Sequence, residues 1–552
     1  MISHLESLDY VAVVVYIALM ALIGIYIGVF VKDVGAYFKG GSAIPWQMSA
    51  VGNFMGLFST FVFVAYAGIA YEHGLISITI FWAPVPVCII GGLCFAGRWR
   101  RTGQTSPMEF LEERYNLPVR QLFTWVGMVM RFLDNMIRLY AIGVFITVVT
   151  PLSLEWSIVV SGIIVTVFNI IGGVWSVVIM STVQFFILLL ATFILVPLSL
   201  DAVGGLSALS EKLPLHMTWF NGPKGTFIWL SVYYIMTLIK YNENWTFIQK
   251  FYSVRDEKAA VKVGVWTGIM FLIFTPLFIL PAVTAQVLTP GLPDPEMAYV
   301  AVSKFLLPAG IMGILFSSMF AATMSSLNSE YNIMSAVLTK DIYQRLFNPE
   351  ASEKKLLFVA RLSTGLIGAV MILGAIYVRY MGGAFEANKL LTGIVAIPLG
   401  IPFILGIVVK KPGVYSSILS ISTGILAGIV LNTIPSVPWE WATLVEIVIC
   451  LVMYFVPTLF SKKVELQPNV QHFFDRMNTP IKEEDKPDIT NDYKRAIILL
   501  FAISIIIAGV LFVGMSIPSL DMYSGQLSFG AGCFCFLCAG GMWWYVRNNK
   551  KK

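Results

Sequence analysis

Three hydroxyls, Ser325, Ser326 and Ser329, fall within about one helical turn of each other in the segment Met319–Asn332, deep inside an apolar run. A small hard cation such as sodium takes about five or six oxygen ligands, and hydroxyls with freed backbone carbonyls supply them without fixed charge. Ala321 and Ala322, just upstream, let a second backbone approach closely. The plainer alternative is packing, because serines in membrane helices often bond back to a carbonyl one turn earlier.

Ionisable residues inside apolar runs are costly and mark function by default. Here they are Arg131, Asp134, Arg138, Lys240, Glu243, Glu330 and Lys389. Asp134 and Arg138 stand four apart and Lys240 and Glu243 three apart, so structural ion pairs along one helix face are the competing reading. Lys389 has the option of snorkelling toward the outer end of its helix, near Glu386 and Asn388. Two cations without partners around a pocket favour an anionic solute. Six cysteines lie in apolar runs, and Cys533-x-Cys535-x-x-Cys538, with no histidine nearby, reads as small buried hydrophobes.

These groups need elements that hold them inside a membrane. Of 552 residues, 57% are hydrophobic and only 12% charged, about half the charged share of a soluble domain. Apolar runs long enough to cross a hydrocarbon core of about 30 Å recur about fifteen times. Among them are Trp156–Gly173, Val177–Leu200 and Tyr299–Lys340. Two runs are interrupted by polar or glycine-rich stretches at mid-depth, Gly52–Thr60 and Lys240–Asn244. Such backbone is tolerated only where it is buried in protein or lines a cavity. A matching pair of broken helices five spans apart points to an inverted-repeat transporter with its site at the midplane.

The net charge of +6 is a topology signal. Lys and Arg collect in alternate loops, including Arg98–Arg101, Lys410–Lys411, Lys462–Lys463 and the tail from Arg547, while Ser436–Trp439 and Pro518–Gln526 are nearly free of them. The positive-inside rule then places the N-terminus outside and the C-terminus in the cytoplasm of a cell membrane. The partners implied are the lipid bilayer and a small solute, with no nucleic acid. Met1–Tyr10 lacks a basic n-region, so the first apolar run reads as a retained helix. No nucleophile constellation, metal cluster or phosphate loop stands out, so no enzyme is expected.

From about Ala43 to Lys411 the chain resembles the solute:sodium symporters, which include sodium/glucose cotransporters and bacterial sialic acid, proline and galactose symporters. The resemblance is carried by Pro45-Trp46 and by the loop motif from Thr105-Ser106-Pro107 through Glu109-Phe110-Leu111-Glu112 to Arg114-Tyr115. It continues through Gly172-Gly173, Gln184, Asn244, Ile248-Gln249-Lys250, Pro308-x-Gly310-x-x-Gly313, Phe320–Ser326, Asp341-Ile342-Tyr343 and Thr392-Gly393. It implies an all-α polytopic fold with a five-plus-five inverted-repeat core over residues 41–412. The repeats would be about 43–200 and 227–411, with a leading helix in 1–40 and trailing helices in 413–552 around a cytoplasmic loop, 462–494.

The same resemblance implies a sodium site made of the carbonyls of Met55, Phe58 and Ala322 and the hydroxyls of Ser325 and Ser326. Members with a second sodium site carry an aspartate where this chain has Ser181, so a single coupled sodium is expected, with Ser181, Asn328 and Ser329 as weak further oxygens. Positions that hold sugar hydroxyls in the family align with Val62, Phe81, Thr237 and Lys389. Arg138 aligns with an arginine that acidic-sugar carriers use. Ser59 and Lys240, at the two breaks, complete the expected solute site. The reading is sodium-coupled symport of a small polar solute, leaning to a sugar acid or another carboxylate. The alternative is a proton-coupled or uncoupled carrier of the same fold, with Glu330 as its key residue.

Overall fold

In hydrocarbon, every backbone donor and acceptor must find a partner inside the protein, and this chain answers with helices. The computed structural model describes residues 5–28, 38, 40–378, 389–460, 468–486 and 491–548, almost all of them helical. In chain order the principal helices begin with α1 (Ser7–Gly28), α2 (Trp46–Leu57), α3 (Val62–His73), α4 (Ile76–Arg101) and α5 (Leu117–Val149). Next come α6 (Leu154–Val203), α7 (Phe227–Asn242), α8 (Trp245–Tyr252), α9 (Glu257–Leu288) and α10 (Ile311–Val337). The last are α11 (Glu353–Tyr377), α12 (Lys389–Gly406), α13 (Val414–Thr433), α14 (Trp439–Phe460), α15 (Asn491–Ser516) and α16 (Tyr523–Asn548).

Among the described residues, ten helical stretches are long and apolar enough to cross a membrane, or eleven if α2 and α3, bent by 60° at their junction, count as one. The chain is therefore a multi-pass membrane protein. Other runs read as crossings fall on α1, on α5, on Leu154–Ile170 within α6, and on the interrupted α7–α8 pair, which are shorter or more polar.

Two expected boundaries change. Trp156–Gly173 and Val177–Leu200 belong to one helical run, α6, whose 50 residues would extend about 75 Å if straight. It therefore contains two apolar stretches, Leu154–Ile170 and Val177–Val203. The side-chain surroundings of Gly172 and Gly173 lie outside the described residues, as do 379–388, with Glu386 and Asn388, and 461–467 and 487–490, within or beside the loop expected to be cytoplasmic. Tyr299–Lys340 is divided into Ala298–Leu306 and α10. Pro308 disfavours helix in Leu307 before it, and Gly310 takes φ +85°, a conformation that favours glycine.

Helix α10 is the axle of the bundle. All of its side chains are buried, against α1, α2, α5, α6 and α11. That explains its polarity: serines and asparagines there meet protein rather than lipid. Asp9 of α1 fixes its start by accepting hydrogen bonds from the amides of Gly310 and Gly313 at 2.7 and 2.8 Å. Close backbone contact recurs where α4 crosses α9, since a β-carbon on Gly264 would lie 2.4 Å from Gly92 Cα. Cys88 and Cys450 are buried, but the Cys533–Cys538 cluster is less buried than expected. Cys94 is exposed and Cys533, Cys535 and Cys538 are half-buried, because they face outward on peripheral helices.

Candidate ion and solute site

The first break lies between α2 and α3. A helix end leaves its last carbonyls without ladder partners, and here the next amides turn elsewhere. Thr60 N–H donates to Thr323 Oγ1 at 2.7 Å, Phe61 N–H to Ser59 Oγ at 3.3 Å and Val62 N–H to the Ser59 carbonyl at 3.0 Å. An unbroken helix would have sent these amides to Gly56, Leu57 and Phe58, so the Phe58 carbonyl is released from the ladder. Phe58 itself is extended (φ −93°, ψ 133°). Its ring is wedged among Phe54, Phe63 and Phe278, which anchors the break.

The broken segment lies along α10. Thr60 Oγ1 donates to the Met319 carbonyl at 2.7 Å, and the Thr60 and Thr323 hydroxyls are bonded to each other. At the other end, a β-carbon on Gly56 would be 3.5 Å from Ser329 Oγ. Met55 and Phe58 belong to the α2 side of this crossing, and Ala322, Ser325 and Ser326 to the α10 side, between Met319 and Ser329. Ser325 Oγ is 2.6 Å from Ser181 Oγ of α6, and Ser181 donates to the Val177 carbonyl. Ser326 Oγ donates to the Thr323 carbonyl at 2.9 Å. Ser329 Oγ is buried with no hydrogen-bond partner among the described residues. Hydroxyls from α6 and α10 thus gather on the α10 stretch that the α2 break crosses.

The second break is held from two sides. Asn244 caps α8 by accepting from Phe247 N–H at 3.0 Å, and Glu330 of α10 accepts from Thr246 Oγ1 at 2.5 Å. Arg131 of α5 reaches both Glu243 carboxylate oxygens at 3.0 Å, with its guanidinium over the Trp245 ring.

Between the two breaks lies a cavity, and its wall includes Ser59, Val62, Phe81, Arg138, Thr237, Lys240 and Lys389. The sequence-predicted solute residues therefore share one space. Tyr66, Tyr233, Tyr241 and Asn244 also line it. Tyr66 and Tyr233 share a hydrogen bond of 2.7 Å. Tyr66 was overlooked, although it stands four residues after Val62 and so on the same helix face. The Thr237 hydroxyl is turned back to the Tyr233 carbonyl.

The expectation of two unpartnered cations needs correction. Arg138 Nη2 pairs with Asp134 Oδ2 at 2.8 Å, and Lys240 Nζ lies 3.5 Å from Asp134 Oδ1 and donates to Thr392 Oγ1 at 3.0 Å. Lys240 and Glu243 each find a partner on another helix, Asp134 and Arg131 respectively. Lys389 sits over the Trp439 ring. Arg138 Nη1 remains buried without a hydrogen-bond partner among the described residues. Arg138 and Lys240 thus share one carboxylate at the cavity wall.

Known proteins agree with this architecture. The chain is 24% identical to the sodium/glucose cotransporter of Vibrio parahaemolyticus over 79% of its own length and 87% of that protein. It is 25% identical to the sodium-coupled monocarboxylate transporter 2 of Bos taurus, over 64% of this chain and 60% of the other. Among solved structures, a Na+-coupled sialic acid symporter in a substrate-bound outward-open state superposes with a TM-score of 0.75 at 19% identity, covering 84% of this chain and all of that one. A family model described as the sodium:solute symporter family matches residues 37–424, most of the bundle and both breaks, and the chain belongs to that family.

Proposed function

We propose that the protein is a sodium-coupled symporter that imports a small polar, carboxylate-bearing solute by alternating access, with one sodium per cycle. The observation that carries this reading is the broken α2–α3 segment lying along the hydroxyl-bearing face of α10, with the cavity immediately beside it. Sodium is held by the carbonyls of Met55, Phe58 and Ala322 and the hydroxyls of Ser325 and Ser326. It ties the α2 break to α10 and so favours the state that accepts solute. An ion shifts that equilibrium only by its difference in affinity for the two states. Ser181, adjacent to Ser325, offers an oxygen but no charge, which supports a single ion.

The solute carboxylate is received by Arg138 Nη1, with Lys240 and Lys389 adding positive field and Tyr66, Tyr233 and Phe81 forming the wall. A carboxylate cargo is consistent with the monocarboxylate and sialic acid named for two of the relatives above. The core is read as a five-plus-five inverted repeat, about 43–200 and 227–411, among about fifteen crossings. The leading helix and the trailing helices from 413 flank it. The protein sits in the cell membrane with its N-terminus outside and its C-terminus in the cytoplasm.

Uptake into proteoliposomes, with and without a sodium gradient and across neutral and acidic solutes, tests the whole reading. Acidic-solute uptake should require sodium. Ser325→Ala should raise the sodium concentration for half-maximal uptake by about tenfold or more, the equivalent of losing about 1.4 kcal/mol of ion binding. Uptake indifferent to sodium and to Ser325→Ala would remove the ion site. The rival, proton coupling, rests on Glu330, whose Oε2 is buried without a hydrogen-bond partner among the described residues. It predicts uptake driven by a pH gradient without sodium.

A further inference from the structure

Lys250, on α8 just past the second break, is fully buried, and its Nζ has no hydrogen-bond partner among the described residues. Burying an ammonium without a counter-charge is costly, and no ion pair to Lys250 occurs among the described residues. From α2, Gly52 faces it: a β-carbon there would lie 3.8 Å from Lys250 Nζ and 3.5 Å from Val178 of α6. Neither α2 nor the α6 turn Val177–Ser181 holds a titratable side chain. On α10, Glu330 is bonded to Thr246 and Asn332 to Gln249. On α4, Arg100 donates to the Val254 and Arg255 carbonyls, while Arg101 pairs with Glu257 at the start of α9. Farther along α9, Lys262 lies over the Trp46 ring. On α7, Lys240 is held by Asp134.

The surroundings of this amine lead directly to the ion site. Gly52 stands three residues before Met55 on α2, and Val178 three before Ser181 on α6. Three residues of helix rise about 4.5 Å. The amine therefore sits about one turn from the Met55–Ser181–Ser325 cluster. Two positive charges separated by several ångströms in a protein interior change each other's binding constants by roughly tens-fold.

We propose that sodium at this cluster and a proton on Lys250 compete, so that sodium entry expels the Lys250 proton. The N–H bond breaks with its electron pair left on nitrogen, the proton passes to water, and the sodium replaces its charge. The proposal rests on the sodium reading of the cluster. Coupling between two sites is reciprocal, so sodium must bind more tightly as pH rises. The slope is at most about tenfold per pH unit when one proton leaves per ion bound.

The test is sodium titration of the purified full-length protein in detergent between pH 6 and 10, by calorimetry or by the fluorescence of its 14 tryptophans, with choline keeping ionic strength constant. Wild-type affinity should rise tens-fold across the range. Lys250→Met, neutral at every pH, should bind tightly with no pH dependence. Lys250→Arg, charged at every pH, should bind weakly and equally without slope, which keeps the test open if the Met variant does not fold. A flat wild-type profile, or a Met variant that keeps the wild-type slope, overturns the proposal. Absence of sodium binding at every pH removes the ion site itself, and the proposal with it.

Discussion

Arg138 illustrates what a single residue contributes here. Its spacing from Asp134 announces an ion pair, and the pair forms at 2.8 Å. The spacing does not announce that Lys240, on another helix, approaches the same carboxylate, or that Arg138 lines the cavity with one donor nitrogen left without a hydrogen-bond partner among the described residues. A charge-assisted hydrogen bond contributes about 1.5–3 kcal/mol. Arg138→Gln is therefore expected to raise the KM for an acidic solute about 10- to 100-fold while leaving a neutral solute nearly unaffected, as measured by competition uptake. Asp134→Asn should behave differently. It leaves two buried cations without their shared counter-charge, so the loss is of folding, about 3–5 kcal/mol, and thermal unfolding in detergent reports it.

Among the elements, the α2–α3 break and α10 act as one unit. The glycines and polar residues of Gly52–Thr60 made the interruption legible, because irregular or polar backbone at that depth is tolerated only where it is buried in protein or lines a cavity. The partner that takes up the released groups was not legible, since Thr323 lies more than 260 residues away from Thr60. Thr323→Val keeps the shape but leaves the Thr60 amide unsatisfied. That change is expected to cost about 1–3 kcal/mol and to weaken sodium-dependent uptake, whereas Thr323→Ser should restore both, as read by melting temperature and transport. The merged α6 run and the divided Tyr299–Lys340 run show the opposite failure. Periodicity and apolarity measure how much chain can cross a membrane, but proline and glycine geometry decides where it stops.

For the whole molecule, one charge network at the basic, predicted cytoplasmic end ties the loop between α4 and α5 to the far end of the α10 helix. Arg120 bonds to Asp341 and Glu112, Ser106 also meets Asp341, and Arg345 meets Glu112. Burial raises the Glu112 carboxyl, but the hydrogen bonds from Arg345 and Arg120 outweigh it and hold the group below its usual value. A depressed carboxyl contributes stability that is complete above its unfolded value, about 4, and is lost as pH falls through the lower folded value. Melting temperature should therefore show no Glu112 contribution to its pH dependence between pH 6 and 8. The gap between wild type and Glu112→Gln should close only in acid below about pH 4. Arg120→Gln, which opens the network, is expected to increase the reactivity of a cysteine placed at Thr246 toward a membrane-impermeant thiol reagent applied from the cytoplasmic side.

The sequence by itself determined the class of molecule, the two interrupted helices and the hydroxyl run on α10, while much of the cavity wall, though not Tyr66, came from the family resemblance. Each follows from composition, from period, or from motifs whose spacing survives in the chain. Tertiary structure alone decided the pairings: Asp134 between Arg138 and Lys240, Arg131 on Glu243, Ser181 against Ser325, and Lys250 buried beside Gly52 with no hydrogen-bond partner among the described residues. The physical reason is distance along the chain. A buried charge takes whichever partner packing brings within reach, and packing is fixed by helices that the sequence lists far apart.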